Sequence, residues 1–74
     1  MSQKSKMAKE LYALEEEIKA LELKLFRSMA ALMEAIISHT PPTDADVQFF
    51  RAFTSEVNYK REQLQKLTTQ YENL

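Results

Sequence analysis

The sequence contains no cysteine, no glycine and no tryptophan. The absence of cysteine excludes disulfides, thiolate zinc sites and a cysteine nucleophile. The absence of glycine excludes the phosphate-binding loops of the Walker and dinucleotide types, and it removes the residue on which tight β-hairpin turns depend. The longest apolar run, Met29–Met33, is far shorter than the roughly 20 residues that span a bilayer. A formal net charge of −1 gives no electrostatic reason to expect nucleic-acid binding. We therefore expect a cytoplasmic protein with no membrane insertion and no nucleic-acid partner.

The residues that are present favour α-helices joined by one turn. Ala, Leu, Glu, Lys, Gln and Met dominate the 74 residues, and these are strong helix formers. The two prolines, Pro41 and Pro42, form the only strong helix breaker, and Thr43 is placed to cap a following helix. The sequence predicts an all-α fold in which residues 1–74 form a single antiparallel two-helix hairpin, coiled-coil-like and completed by self-association or partner helices. The helices are predicted over about 5–38 and about 44–72, with a loop at about 39–43.

The apolar residues predict a coiled-coil seam between the two helices. Along the first helix the seam residues step by three and four, and one shift of phase after Leu25 is needed to continue it; they are Leu11, Leu14, Ile18, Leu21, Leu25, Met29, Leu32 and Ile36. The second helix supplies Phe50, Phe53, Val57, Leu64, Leu67, Tyr71 and Leu74. Lys60 interrupts this second row. Either it forms an ion pair with Glu22, or its amine reaches solvent along the seam.

A second apolar row runs beside the seam of the first helix. It comprises Leu23, Phe26, Ala30, Met33 and Ile37, one position past the first row and so about 100° further round the helix. One antiparallel neighbour covers one row, so the loop end carries more apolar surface than two helices bury. Such a patch on a small chain marks an interface. The predicted partner-binding residues are Leu23, Phe26, Met29, Ala30, Met33, Ile37, Phe49, Phe50 and Phe53.

No residue pattern supports catalysis. His39 is the only histidine, so neither a histidine metal site nor a bundle di-iron site can be assembled. The serines and threonines do not form a catalytic-triad pattern with the single histidine. We predict no catalytic residues, no cofactor and no metal, and hence a protein that is not an enzyme.

The layout resembles one known family. A long first helix, a short proline-containing turn and a second helix that opens with aromatic and glutamine residues are similar to the small helical-hairpin co-chaperones of type III secretion needle subunits. The opening in this chain is Asp46-Val47-Gln48-Phe49-Phe50-Arg51. The resemblance covers nearly the whole chain and implies a non-enzymatic role in keeping an aggregation-prone helical subunit monomeric.

Several functions remain compatible with the sequence. The leading hypothesis is a protein–protein interaction module, such as a small chaperone or assembly factor, that shields a helical partner through its loop-end apolar face. The alternatives are a structural coiled-coil subunit of a larger assembly and a homodimeric four-helix-bundle regulator. The partner is accordingly another helical protein or a second copy of the chain.

Overall fold

A computed structural model describes residues 2–74 and shows two long helices packed side by side. Helix α1 spans Gln3–Ile37 and helix α2 spans Asp44–Glu72. The two helices contact each other along their length, and the molecule measures 56 × 16 × 15 Å. The predicted all-α antiparallel hairpin is confirmed. Within the described residues, neither helix holds a stretch long and apolar enough to cross a membrane.

Both helices begin at a side-chain cap. The hydroxyl of Ser2 accepts a hydrogen bond from the Ser5 amide at 3.1 Å, so α1 begins about two residues earlier than the sequence predicts. The Thr43 hydroxyl accepts from the Asp46 amide at 3.2 Å, as the capping pattern predicted. Because each cap satisfies one of the free amides of a first helical turn, each stabilises its helix by about 1 kcal/mol.

The end of α1 is a Schellman turn built without glycine. The His39 amide donates to the Ile36 carbonyl at 3.1 Å, and the Thr40 amide donates to the Ala35 carbonyl at 2.9 Å. This pair of bonds requires a left-handed residue between helix and loop, and His39 adopts it with φ 56°. The chain therefore reverses at the cost of placing a residue with a Cβ where glycine is favoured.

The seam forms as predicted over the half of the hairpin that carries the chain termini. Ile18, Leu21 and Val57 are its buried residues, and Val57 is only 1% exposed. The half-buried members extend the seam in both directions along the pair; they are Leu11, Leu14, Leu25, Leu64, Leu67 and Tyr71. This apolar strip is the core of the molecule, and it is one residue wide on each helix.

Nearer the loop, the predicted seam of α1 holds at Leu32, which is half-buried, but is wrong at Met29 and Ile36. Ile36 is 70% exposed and Met29 is also exposed, whereas Ser28 and Ala35 are half-buried. The alternation of three and four therefore continues from Leu25 without any shift of phase. Small side chains fit here because α2 brings the large rings of Phe50 and Phe53, both half-buried, to the same end of the seam.

Ion pairs mark the two edges of the helix pair. Lys60 Nζ lies 3.3 Å from a Glu17 carboxylate oxygen, and Arg61 Nη2 lies 3.4 Å from one of Glu22. The predicted Lys60–Glu22 pair is wrong, because Glu22 faces the neighbouring Arg61 instead. At the end that carries the termini, the Lys4 amine lies 5.3 Å above the centre of the Tyr71 ring.

Candidate protein-interaction surface

The second apolar row of α1, which we call the outer stripe, is open to solvent along its whole length. Its members are Leu23, Phe26, Ala30, Met33 and Ile37, and every one of them is exposed. Phe26, about two thirds of the way along α1, is 68% exposed. Met29 and Ile36, which the sequence placed in the seam, lie next to the stripe and widen it. Four turns of α1 thus present a continuous apolar surface that α2 does not cover.

The outer stripe lies on the side of α1 turned away from α2. Phe26 follows the half-buried Leu25 by one residue, which places it about 100° round the helix from the seam. Ala30 follows the half-buried Ser28 by two residues, which places it about 200° round. Because the stripe spans this range, no repacking of α2 along the present seam buries it.

The predicted aromatic members on α2 do not belong to the outer stripe. Phe50 and Phe53 are half-buried in the seam, whereas Phe49 is exposed and stacks on Phe53 with ring centroids 6.2 Å apart. Phe49 and Lys60 are separated by three helical turns and so share one side of α2, and Lys60 pairs with Glu17.

Met29, in contrast, shares the other side of the helix pair with Glu22, which lies two turns earlier on α1 and forms an ion pair with Arg61. The structure therefore separates the predicted binding set into two surfaces. One is the outer stripe with Met29 on α1, which Ile36 widens. The other is the Phe49–Phe53 stack on the opposite edge of the pair.

Two charged residues border the outer stripe on the side away from Met29. Arg27 follows Phe26 directly, and Glu34 follows Met33 directly, so the two charges lie along one edge of the stripe two turns apart. Both are exposed, and within the described part of the chain neither forms an ion pair. Sequence reasoning missed this charged border. Continuing the seam of α1 with its spacing of three and four through Ser28 and Ala35 would have given the rotation of the helix and hence the position of the border.

Among the described residues, the polar groups form caps and local hydrogen bonds. Across residues 2–74, no group of three or more His, Asp or Glu side chains is arranged to hold a metal ion. His39 lies at the turn, exposed, and its backbone amide is engaged in the helix cap. The threonines on α2 bond the carbonyl one turn earlier, as Thr54 does to Phe50 at 2.7 Å. The apolar surfaces are thus the features from which a function can be argued.

No protein-family model, curated protein or solved structure matches this chain significantly.

Proposed function

We propose that this protein is a non-enzymatic interaction module that binds an α-helix along the outer stripe of α1. The observation that carries the proposal is the unbroken exposure of that stripe on a helix whose other side is already packed against α2. A monomer rarely leaves a continuous apolar patch of this kind in water. An amphipathic helix laid along the stripe would bury it through contacts spaced by three and four residues.

The size of the stripe decides how such a partner must bind. Burying one large apolar side chain contributes roughly 1.5–3 kcal/mol, whereas association costs roughly 4–15 kcal/mol in lost freedom. Contacts to one or two residues therefore cannot hold a partner. The five large residues of the stripe and its flank that span Phe26–Ile37 can, so we expect the partner helix to run along at least three turns of α1.

Within this role, we propose a small chaperone or assembly factor that shields a helical subunit until that subunit assembles. Two features support it: the flexible thioethers of Met29 and Met33, which adapt to differing surfaces, and the aromatic opening of α2 that resembles needle-subunit co-chaperones. The type III needle subunit is the corresponding partner. Co-expression with a needle subunit of the source organism tests this narrower proposal, and a subunit that polymerises equally fast with and without the chain would contradict it.

The helix-binding role itself is tested by Phe26→Asp with Tyr12→Asp as its matched control. Tyr12 is an aromatic residue on the same side of α1, two heptads earlier, and its 66% exposure is close to the 68% of Phe26. Both variants should stay helical by circular dichroism. Phe26→Asp should lose the complexes that the wild-type chain forms in its own cells, as measured by quantitative co-purification, and Tyr12→Asp should keep them. Equal recovery of complexes by the two variants would contradict the proposal.

A further inference from the structure

We infer that the outer stripe also binds a second copy of this chain, with the two α1 helices antiparallel. This inference rests on the proposed function, because it takes the stripe to be a helix-binding surface, and it names one occupant. Three observations carry it: the surface area of the hairpin, the order of side chains along the stripe, and the charges at its border.

The isolated hairpin exposes more surface than its mass requires. Its accessible surface is 5850 Å², whereas a compact monomer of 8.6 kDa exposes about 4,700 Å². The excess is about 1,150 Å², and two chains that each buried that much would share an interface of about 2,300 Å², the size found in permanent dimers. An interface along the stripe, which pairs residues 26–37 of each α1, would therefore remove part of the excess surface of this thin, elongated hairpin.

The stripe is complementary to itself when two copies run antiparallel. In antiparallel coiled coils, an a position of one helix faces a d position of the other. In the outer stripe, Leu23, Ala30 and Ile37 are a positions, and Phe26 and Met33 are d positions. Applied to the stripe, this register sets Phe26 against Ile37 of the second copy and Ala30 against Met33, and the two-fold axis repeats both pairs. Each layer thus contains one large and one smaller or flexible side chain, which is the combination that fills space.

The same register makes both borders of the stripe complementary. On one border, Met29 of each copy lies beside Ile36 of the other, so the apolar contact widens. On the opposite border, Arg27 of each copy faces Glu34 of the other, which gives two symmetry-related ion pairs. These are the two charges that have no ion-pair partner within the described hairpin. A parallel arrangement would place this charged border of each copy beside the Met29 border of the other, so Glu34 would have no cation opposite it, and the charges favour the antiparallel dimer.

The resulting dimer has the two α1 helices at its centre and the α2 helices outside. Phe49 lies on α2, on the edge of the pair opposite Met29, and stays exposed in this arrangement. A helical partner that takes the stripe must displace the second copy, so dimerisation and partner binding exclude each other.

The experiment reverses the border charges one at a time. Sedimentation equilibrium of the full wild-type chain should give a dimer. Arg27→Glu and Glu34→Arg should each raise the dimer dissociation constant about tenfold, because each homodimer then holds two like-charge pairs. Mixing the two variants should restore wild-type affinity, since both pairs are again opposite in sign. Glu62 is an exposed charge on α2, and Glu62→Arg makes the same change in net charge as Glu34→Arg; it is the control and should leave the dissociation constant unchanged.

A wild-type chain that stays monomeric would overturn the inference, as would single variants that dimerise as well as the wild type or a mixture that fails to recover. These results leave the proposed function standing if Phe26→Asp still loses its cellular complexes and Tyr12→Asp does not. If Phe26→Asp dissociates the dimer yet keeps every cellular complex, the inference stands and the binding of other proteins through the stripe fails.

Discussion

Replacing Lys60 with leucine should stabilise the hairpin, although it removes an ion pair between the helices. Lys60 occupies a seam position between Val57 and Leu64, and its side chain is only 24% exposed. Its partner carboxylate on Glu17 is 55% exposed, so the pair is largely solvated. The apolar seam is therefore interrupted at Lys60 by a charge that gains little from its partner.

The magnitude follows from those exposures. Full burial of a leucine side chain contributes roughly 1.5–3 kcal/mol, and three quarters of that is about 1–2 kcal/mol. The lysine stem already buries part of this surface, and loss of a solvated ion pair costs roughly 0–1 kcal/mol. Lysine and leucine have similar helix propensities. The net expectation is an increase of about 1 kcal/mol in the free energy of unfolding, against a total of roughly 4–11 kcal/mol for a chain of this length.

Urea denaturation followed by circular dichroism, at one fixed protein concentration, measures the change. With a denaturant slope near 1 kcal/mol per molar for so small a chain, the midpoint should rise by about 1 M. The control is Glu17→Gln, made in the wild-type chain and in Lys60→Leu. It should lower the free energy of unfolding by less than about 1 kcal/mol in the wild-type chain and leave it unchanged in Lys60→Leu. A Lys60→Leu chain that unfolds at lower urea, together with a Glu17→Gln cost well above that limit, would refute the reasoning.

Two further substitutions test the packing and the turn. Val57→Ala should lower the free energy of unfolding by about 2 kcal/mol because Val57 is fully buried. Ile36→Ala should change it by less than about 0.5 kcal/mol in dilute, monomeric protein because Ile36 is exposed. Equal losses would contradict the placement of Val57 inside the seam and Ile36 outside it. His39→Gly should raise the melting temperature by a few degrees because glycine adopts the left-handed conformation without strain, and a lowered melting temperature would show that the histidine side chain stabilises the turn.

The two proposals place opposite demands on the same residues. In the dimer, the apolar side chains of the stripe are buried and do not contact other cellular proteins. For another protein to bind the stripe, the dimer must first dissociate. If the dimer dissociates in the micromolar range, both demands are met by mass action. Phe49, stacked on Phe53, lies on the other edge of the pair and stays exposed whether the stripe is free, paired with a second copy or bound to a partner.

The sequence by itself determined much of this protein. The Pro41-Pro42 break and the threonine cap after it define two helices, and the spacing of three and four from Leu11 to Leu25 defines their seam. These features are local: a cap, a helix breaker and a helical period act within a few residues of themselves. The presence of a second apolar row on the first helix was also visible, because it follows from the same period.

Only the tertiary structure decided which apolar residues face the second helix near the loop. Ser28 and Met29 lie on adjacent positions, and the sequence rule that larger apolar residues are buried selects Met29. In the structure Ser28 is the half-buried residue and Met29 is exposed, and the rings of Phe50 and Phe53 lie at that end of the seam. Likewise, the spacing of apolar residues along each helix could not predict that Lys60 forms its ion pair with Glu17. It could not predict either that Phe49 lies on the edge of the helix pair opposite Met29. Each of these depends on the rotation of one helix about its axis relative to the other, which the packing between the helices sets.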